Sequence, residues 1–200
     1  LFKSILVLES AWDESTVQSK SVWPFVSEFA KATNLQAFHQ SFSDKHSFQH
    51  WIECYNREPL KGKKLLYVAA HGSDGRISGL KRSVNGSTIT AAMKEATNIQ
   101  FVHFGSCFYG SEGNLSNLLC EVEHIRWAAG YQKSVDWVDS TLFDIMLWGR
   151  ITNRNTDETR GIKTHTLAKA LIEEIPGLAK NLGFRFQYRY GEKIEALFND

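Results

Sequence analysis

The sequence predicts an α/β domain, a three-layer α/β/α sandwich in which helices cover both faces of a mostly parallel sheet of about six strands. Three observations carry that prediction. Short apolar runs alternate with segments of helical periodicity along nearly the whole chain, the pattern of layered α/β folds. Two of the runs, 65–70 and 99–104, are apolar with few interruptions rather than at every second residue, as in strands buried on both faces. The 200 residues, 42% of them hydrophobic and without repeats or low-complexity tracts, suit a single domain, 1–200, with a full core.

Residues 2–9 form the first predicted strand. A polar stretch, 13–20, leads into an amphipathic helix over 22–34, where Pro24 falls in the first turn and its missing N–H is harmless. Leu35, Ala37 and Phe38 mark a weak second strand over 35–42. Ser43 or Asp44 then caps a helix running to about Arg57, with Phe48, Trp51, Ile52 and Tyr55 on one face. Glu58-Pro59 ends it. The turn at 61–64 feeds a third strand that stops at His71-Gly72, and the glycine-punctuated stretch beyond it contains a small hairpin or lid around 76–80. Thr88 or Thr90 opens a helix to about Ala96, and the fourth strand ends at Cys107. Leu115, Leu118, Leu119 and Val122 predict a helix, 125–131 the fifth strand, and 142–151 a buried helix. After a polar loop, 152–163, a helical pattern spans 167–182 with a break at Pro176-Gly177. Phe184, Phe186, Tyr188 and Tyr190 alternate with Arg185, Gln187 and Arg189, which predicts a sixth strand at an edge or half exposed.

Charge and composition narrow the partners. Lys and Arg number 23 against 22 for Asp and Glu, and a net charge of +1 gives no reason to expect nucleic acid or an anionic membrane. No apolar stretch approaches the roughly 20 residues that span a bilayer, and residues 1–8 are too short for a signal peptide and read as a strand. Cys54, Cys107 and Cys120 are an odd count in a chain large enough to fold without staples. They read as free thiols in a reducing, cytoplasmic compartment. Leu1 in place of an initiator methionine suggests a processed or trimmed chain.

The chemistry gathers at two strand ends. Ligands and catalytic groups in parallel sheets collect at the carboxyl ends of the strands, and here one run stops at His71 and another at Cys107, 107 − 71 = 36 residues apart, room for one crossover. If the strands are neighbours, the two side chains face each other. A cysteine nucleophile needs a group to take its proton, and an acyl intermediate needs N–H donors aimed at its oxyanion. His71 supplies the first; the N–H groups of Gly72 and Cys107 are candidates for the second, with Gly72 and Gly105 allowing close backbone approach. A lone cysteine after an apolar strand is more often a core residue, and a lone strand-end histidine a satisfied polar group. The two together, each beside a glycine, favour a catalytic pair.

These residues resemble a family. Strand-His71-Gly72, strand-Gly105-Ser106-Cys107, an aromatic fifth strand and the loop Val135-Asp136-Trp137-x-x-Ser140 look like the caspase-like cysteine peptidases, especially the bacterial caspase-like and CHAT type related to separases, gingipains and clostripain. The resemblance covers most of the chain, with specific motifs confined to 65–75, 99–113 and 125–144. It implies a His71–Cys107 dyad that cleaves peptide bonds through an acyl-enzyme without metal or cofactor, acting on a protein or peptide beside a sensor or regulatory protein. It also implies that Asp136 and Trp137 line the pocket for the residue before the scissile bond, with Asp136 selecting Arg or Lys by charge pairing. Asp136 is equally placed to cap the helix that follows, and Trp137 to pack in the core. Animal caspases carry Gln-Ala-Cys-Arg-Gly with the histidine about 50 residues upstream, so strict aspartate specificity is not implied by Phe104-Gly105-Ser106-Cys107-Phe108.

Other residues fit plainer roles. His103 reads as a core or sheet-face histidine, Cys54 and Cys120 as buried thiols, and none of the seven histidines falls at zinc-ligand spacing. A glutamine amidotransferase-like hydrolase needs a histidine downstream of the cysteine, where only His124 and His165 are available. A caspase-like interaction domain without turnover is the non-enzymatic alternative. Within 152–163, Arg154 and Arg160 mark a candidate processing or activation loop.

Overall fold

In the computed structural model, which describes residues 2–12, 20–152 and 163–197, strands and helices alternate from the start. The first elements are β1 (Phe2–Glu9), α1 (Trp23–Thr33), β2 (Gln36–Ser41), α2 (Lys45–Arg57) and β3 (Lys63–Ala69). Next come the short strands β4 (Gly72–Ser73), β5 (Arg76–Ile77) and β6 (Val84–Asn85), then α3 (Gly86–Glu95), β7 (Ile99–Phe104), α4 (Glu112–Glu121) and β8 (Trp127–Tyr131). The remainder is α5 (Trp137–Thr152), α6 (Thr164–Glu174), α7 (Pro176–Leu182), β9 (Phe184–Tyr190) and β10 (Lys193–Ala196). Residues 153–162, most of the suggested processing loop, lie outside the described residues.

The main sheet has the order β10-β9-β8-β7-β3-β1-β2. Pairing is parallel from β2 through β8, and β9 and β10 close the sheet antiparallel. β3 shows why a central strand is apolar without alternation. Leu66 and Val68 face a core shared with α2, α3 and α4, while Leu65, Tyr67 and Ala69 face a second core shared with α1, α5, α6 and α7. Both sides of the strand are removed from water, so both must be apolar.

Helix boundaries follow local chemistry. Asp44 caps α2 by accepting from the N–H groups of His46 and Ser47, and Ser47 Oγ in turn accepts from the Asp44 N–H, a reciprocal capping box. Pro176 cannot continue a helix and can begin one, so the predicted 167–182 segment is two helices that meet at Ile175. Lys64 is only 2% exposed. Its ammonium donates to the carbonyls of Tyr55, Asn56 and Glu58, closing the last turn of α2, where backbone acceptors lack helical partners.

The mostly parallel sheet, predicted with about six strands, has seven, and the seventh, β10, turns back at Gly191 to take the edge position, leaving β9 half exposed rather than at the edge. Four residues, two of them charged, give β10 no apolar period to read. The polar alternate residues of β9 are covered by α4: Gln187 accepts from Ser116 Oγ and donates to the Glu112 carbonyl, and Arg189 donates to the Leu119 carbonyl. The hairpin predicted around 76–80 belongs to a separate three-stranded antiparallel sheet of β4, β5 and β6 just beyond β3.

Candidate active site

β3 and β7 are neighbours, paired from Leu65↔Phe101 to Val68↔Phe104, an offset of 101 − 65 = 36. That equals the separation of His71 and Cys107, which both lie beyond the last paired residues, with no hydrogen bond between them. The Gly105 N–H extends the ladder by bonding the Val68 carbonyl at 2.9 Å. β3 ends at Ala69 and β7 at Phe104, which places both side chains in the loops just beyond the strands' carboxyl ends. The glycines have a steric role here. A Cβ on Gly72 would stand 2.2 Å from the Cys107 carbonyl oxygen, and one on Gly105 2.4 Å from Tyr67 Oη; no larger residue lets the two loops meet.

His71 is held from the far side. Its exposed ring brings Nε2 to 2.6 Å from the Trp12 carbonyl. A carbonyl only accepts, so Nε2 carries the proton and the neutral ring keeps its lone pair on Nδ1. The Trp12 indole meets His71 edge-on, with ring centres 5.4 Å apart, and donates from Nε1 to Glu9 Oε1 at 2.7 Å. Glu9, at the end of β1 and 5% exposed, also accepts from Val22 N at 2.9 Å and Ser21 Oγ at 2.7 Å, and its Oε2 lies 2.9 Å from His39 Nε2. Burial pushes the Glu9 carboxyl upward, but the hydrogen bonds from His39, Ser21, Trp12 and Val22 outweigh it and hold the group below its ordinary value. Neither Glu9 nor Trp12 was foreseen as part of the site. One ends a strand and the other lies outside any periodic run, so neither has a local sequence signature.

This carboxylate yields a pH prediction. A depressed folded-state pKa contributes stability that is present above the unfolded value, near 4.5, and is lost as pH falls through the lowered folded value. Glu9→Gln removes one acceptor oxygen from four donors and is expected to lower stability at pH 7 by about 2 kcal/mol, the scale of hydrogen bonds to a charged group. Urea titrations of both proteins should show the gap narrowing below about pH 4.5; a gap independent of pH would assign the loss to packing.

Cys107 is half-buried, and its sulfur accepts from the Val135 N–H at 3.4 Å. Its own N–H makes no backbone hydrogen bond among the described residues. The next residue, Phe108, has φ +61°, a left-handed conformation costly for an aromatic residue. Hydrogen bonds from Phe108 N to the Lys133 carbonyl (3.2 Å) and from Gly110 N to the Tyr131 carbonyl (3.0 Å) hold this sharp turn against the end of β8.

The predicted pocket residues reach the site through Val135. Asp136 is exposed rather than desolvated, and its Oδ1 accepts from Val138 N at 2.8 Å and Asp139 N at 3.2 Å, capping α5. α5 therefore starts at Trp137, not at Leu142. Trp137 is half-buried, edge-on to Phe25 of α1 at 5.8 Å. Backbone contact between Val135 and Cys107 Sγ brings this loop against the sulfur.

Beneath the site lies a polar network inside the core. His103 and Asp144 are both 0% exposed, with Nε2 and Oδ1 2.8 Å apart, a close contact off the line of an aligned hydrogen bond. Trp148 Nε1 donates to His103 Nδ1 at 3.1 Å, so the imidazole proton sits on Nε2, facing the carboxylate. Tyr67 donates to Asp144 Oδ2 at 2.7 Å and Tyr131 to Oδ1. Burial first, then the Asp144 charge, pushes both phenols well above their ordinary range. His103 is thus a core histidine, as its position on the strand predicts.

The remaining candidates lie elsewhere. His165 starts α6 and stacks on Tyr188 at 4.2 Å, and His124 sits in the turn ahead of β8. Both are at the amino ends of the parallel strands, opposite Cys107. All three cysteines are free, but Cys54 is half-buried and Cys120 exposed, not buried as expected; the apolar neighbours of Cys120 face the core from other sides of α4. Among the described residues, no three metal-ligating side chains converge, and no helix is long and apolar enough to cross a membrane.

A mostly parallel sheet between two helical layers, with the histidine and cysteine past the carboxyl ends of adjacent strands, defines a three-layer α/β/α domain of caspase-like architecture. The fold is similar to that of a secreted C11 cysteine protease from Bacteroides thetaiotaomicron, whose X-ray structure is in complex with an irreversible peptide inhibitor. The TM-score is 0.53 at 8% sequence identity, over 94% of this chain and 66% of that one, a likeness of fold. This chain therefore spans just under two thirds of that protease's length. No family model matches the sequence, and no curated protein is similar to it.

Proposed function

We propose that the chain is a single peptidase domain, a cysteine endopeptidase with Cys107 as nucleophile and His71 as base. The observation that supports this reading is the 36-residue offset of β3 against β7, equal to the separation of His71 and Cys107, beside the Nε2 contact to the Trp12 carbonyl that leaves the lone pair on Nδ1. The thiol proton passes to His71 Nδ1 as Sγ attacks the substrate carbonyl carbon. The oxyanion is received by the Cys107 N–H, with the Gly72 N–H as second donor. His71 then protonates the leaving amine, and water, deprotonated by the same nitrogen, releases the acyl group and restores the thiol. The Trp12 carbonyl keeps the ring oriented and stabilises the imidazolium between these steps. The active-site pattern fits the bacterial caspase-like and CHAT type related to separase, gingipain and clostripain. Protein or peptide substrates and a regulatory partner follow from that reading, and three free thiols support a cytoplasmic location.

Cleavage after Arg or Lys is the proposed specificity, with Asp136 as the selecting charge. The support is its position beside Val135, whose backbone touches Cys107 Sγ. Asn is as good a helix cap as Asp, so Asp136→Asn removes the charge and keeps α5. On matched peptides differing only before the scissile bond, this variant should lose about tenfold or more in kcat/KM for Arg, the scale of one charge-assisted pair. Unchanged Arg selectivity, or wild-type preference for Asp or Leu, would defeat the assignment and leave the dyad intact.

A further inference from the structure

At the opposite end of the sheet from His71 and Cys107, a cleft of about 420 Å³ opens beside Phe101 and Trp127. Among the described residues, Lys63, Arg126, Lys163 and Arg189 line it and no carboxylate does, with the Arg189 guanidinium turned to the α4 face of the sheet. Among the described residues, none of these four cations pairs with an Asp or Glu. Aromatic faces hold two of them: Lys163 Nζ lies 4.3 Å from the centre of the Tyr190 ring, and Lys63 Nζ 5.7 Å from that of Phe101. The whole chain carries a net charge of only +1, so this is a local concentration of positive charge rather than general basicity.

Hydrogen-bonding capacity is lopsided in the same direction. Trp127, 1% exposed, has a buried nitrogen, Nε1, with no acceptor among the described residues. Lys163, the N-cap of α6, offers no side-chain acceptor to the helix, and Lys163, Thr164 and His165 at its positive end line the cleft. The nearby Glu195 is engaged by the Tyr188 hydroxyl at 2.6 Å. His165 stacks on Tyr188, and burial, together with the Lys163 charge, holds its imidazole below the ordinary value despite Glu195. Donors and positive charge are in excess, and acceptors are missing.

We propose that this cleft binds a small multivalent phosphate anion, an oligophosphate chain that is either free or part of a nucleotide. Three cations around one cleft, Lys63, Arg126 and Lys163, without a carboxylate partner among the described residues, favour several negative charges on one ligand, and the volume lies within the usual range for small-molecule sites. The proposal is independent of the peptidase reading.

The test is calorimetric titration of the intact chain with sodium tripolyphosphate and, separately, with ATP, both without divalent metal and in 150 mM salt. Saturable binding at one site is expected, weakened about tenfold or more in the Lys63→Gln/Arg126→Gln/Lys163→Gln variant and unchanged in Lys94→Gln and Cys107→Ala. Arg126 is exposed, so Arg126→Gln alone gives a variant whose fold is not at risk, and a several-fold loss is expected from it. Similar affinity for both probes identifies the phosphate chain as the recognised group; tighter ATP binding identifies a nucleotide. Absence of saturable binding by either probe, or equal affinity in wild type, triple variant and Arg126→Gln, overturns the proposal.

Discussion

Cys107→Ala and His71→Ala are each expected to reduce peptide hydrolysis by several orders of magnitude, about 10³-fold or more, because a nucleophile and its base act as one unit and losing either removes most of the benefit of both. The double variant should be hardly worse than either single one. His71 is exposed and Cys107 half-buried, so neither substitution removes a filled core position, and thermal melts should match the wild type. Initial rates on a peptide library, beside those melts, decide the matter. Activity that survives His71→Ala but is lost in His165→Ala would favour the amidotransferase-like alternative and refute the dyad.

The second large effect is on stability. Asp144, 0% exposed, accepts from Tyr67 and Tyr131 and faces the Nε2–H of His103. Asp144→Ala leaves the two phenols buried without their acceptor and His103 without the facing carboxylate, and breaking a buried charged network by removing one partner costs about 3–5 kcal/mol. Asp144→Asn keeps one carbonyl oxygen and should lose less. Urea denaturation measures both. A loss below about 1 kcal/mol in the alanine variant would mean that water or another acceptor takes the carboxylate's place. Tyr67 also lies against Gly105, two residues before the nucleophile, so a destabilised Asp144 variant that still folds should show reduced kcat as the turn at Cys107 loosens.

The two central strands and the catalytic candidates were legible because each is a local property. Leu65 to Ala70 is apolar throughout because both faces of β3 are covered, and His71 and Cys107 announce themselves as polar groups at the ends of such runs. The Asp44 cap and the break at Pro176 are local in the same sense. Asp136 was readable in only one of its two roles, since a cap needs nothing beyond the next few residues, whereas a pocket needs a second wall from elsewhere in the chain.

What the sequence determined by itself is where chain segments leave water and where they stop, because periodicity and turn residues act over a few positions. Only the tertiary structure decided which segments became neighbours. β3 beside β7 made one offset of a numerical coincidence at 36 residues. The Trp12 carbonyl reaches His71 across 59 positions, Asp144 reaches Tyr67 across 77, and Lys64 finds the end of α2 only after the chain has turned back on it. A polar group in an apolar run, or a strand as short as β10, has no local pattern to reveal its partner; burial without hydrogen bonds is costly, and where a partner relieves that cost the fold alone supplies it.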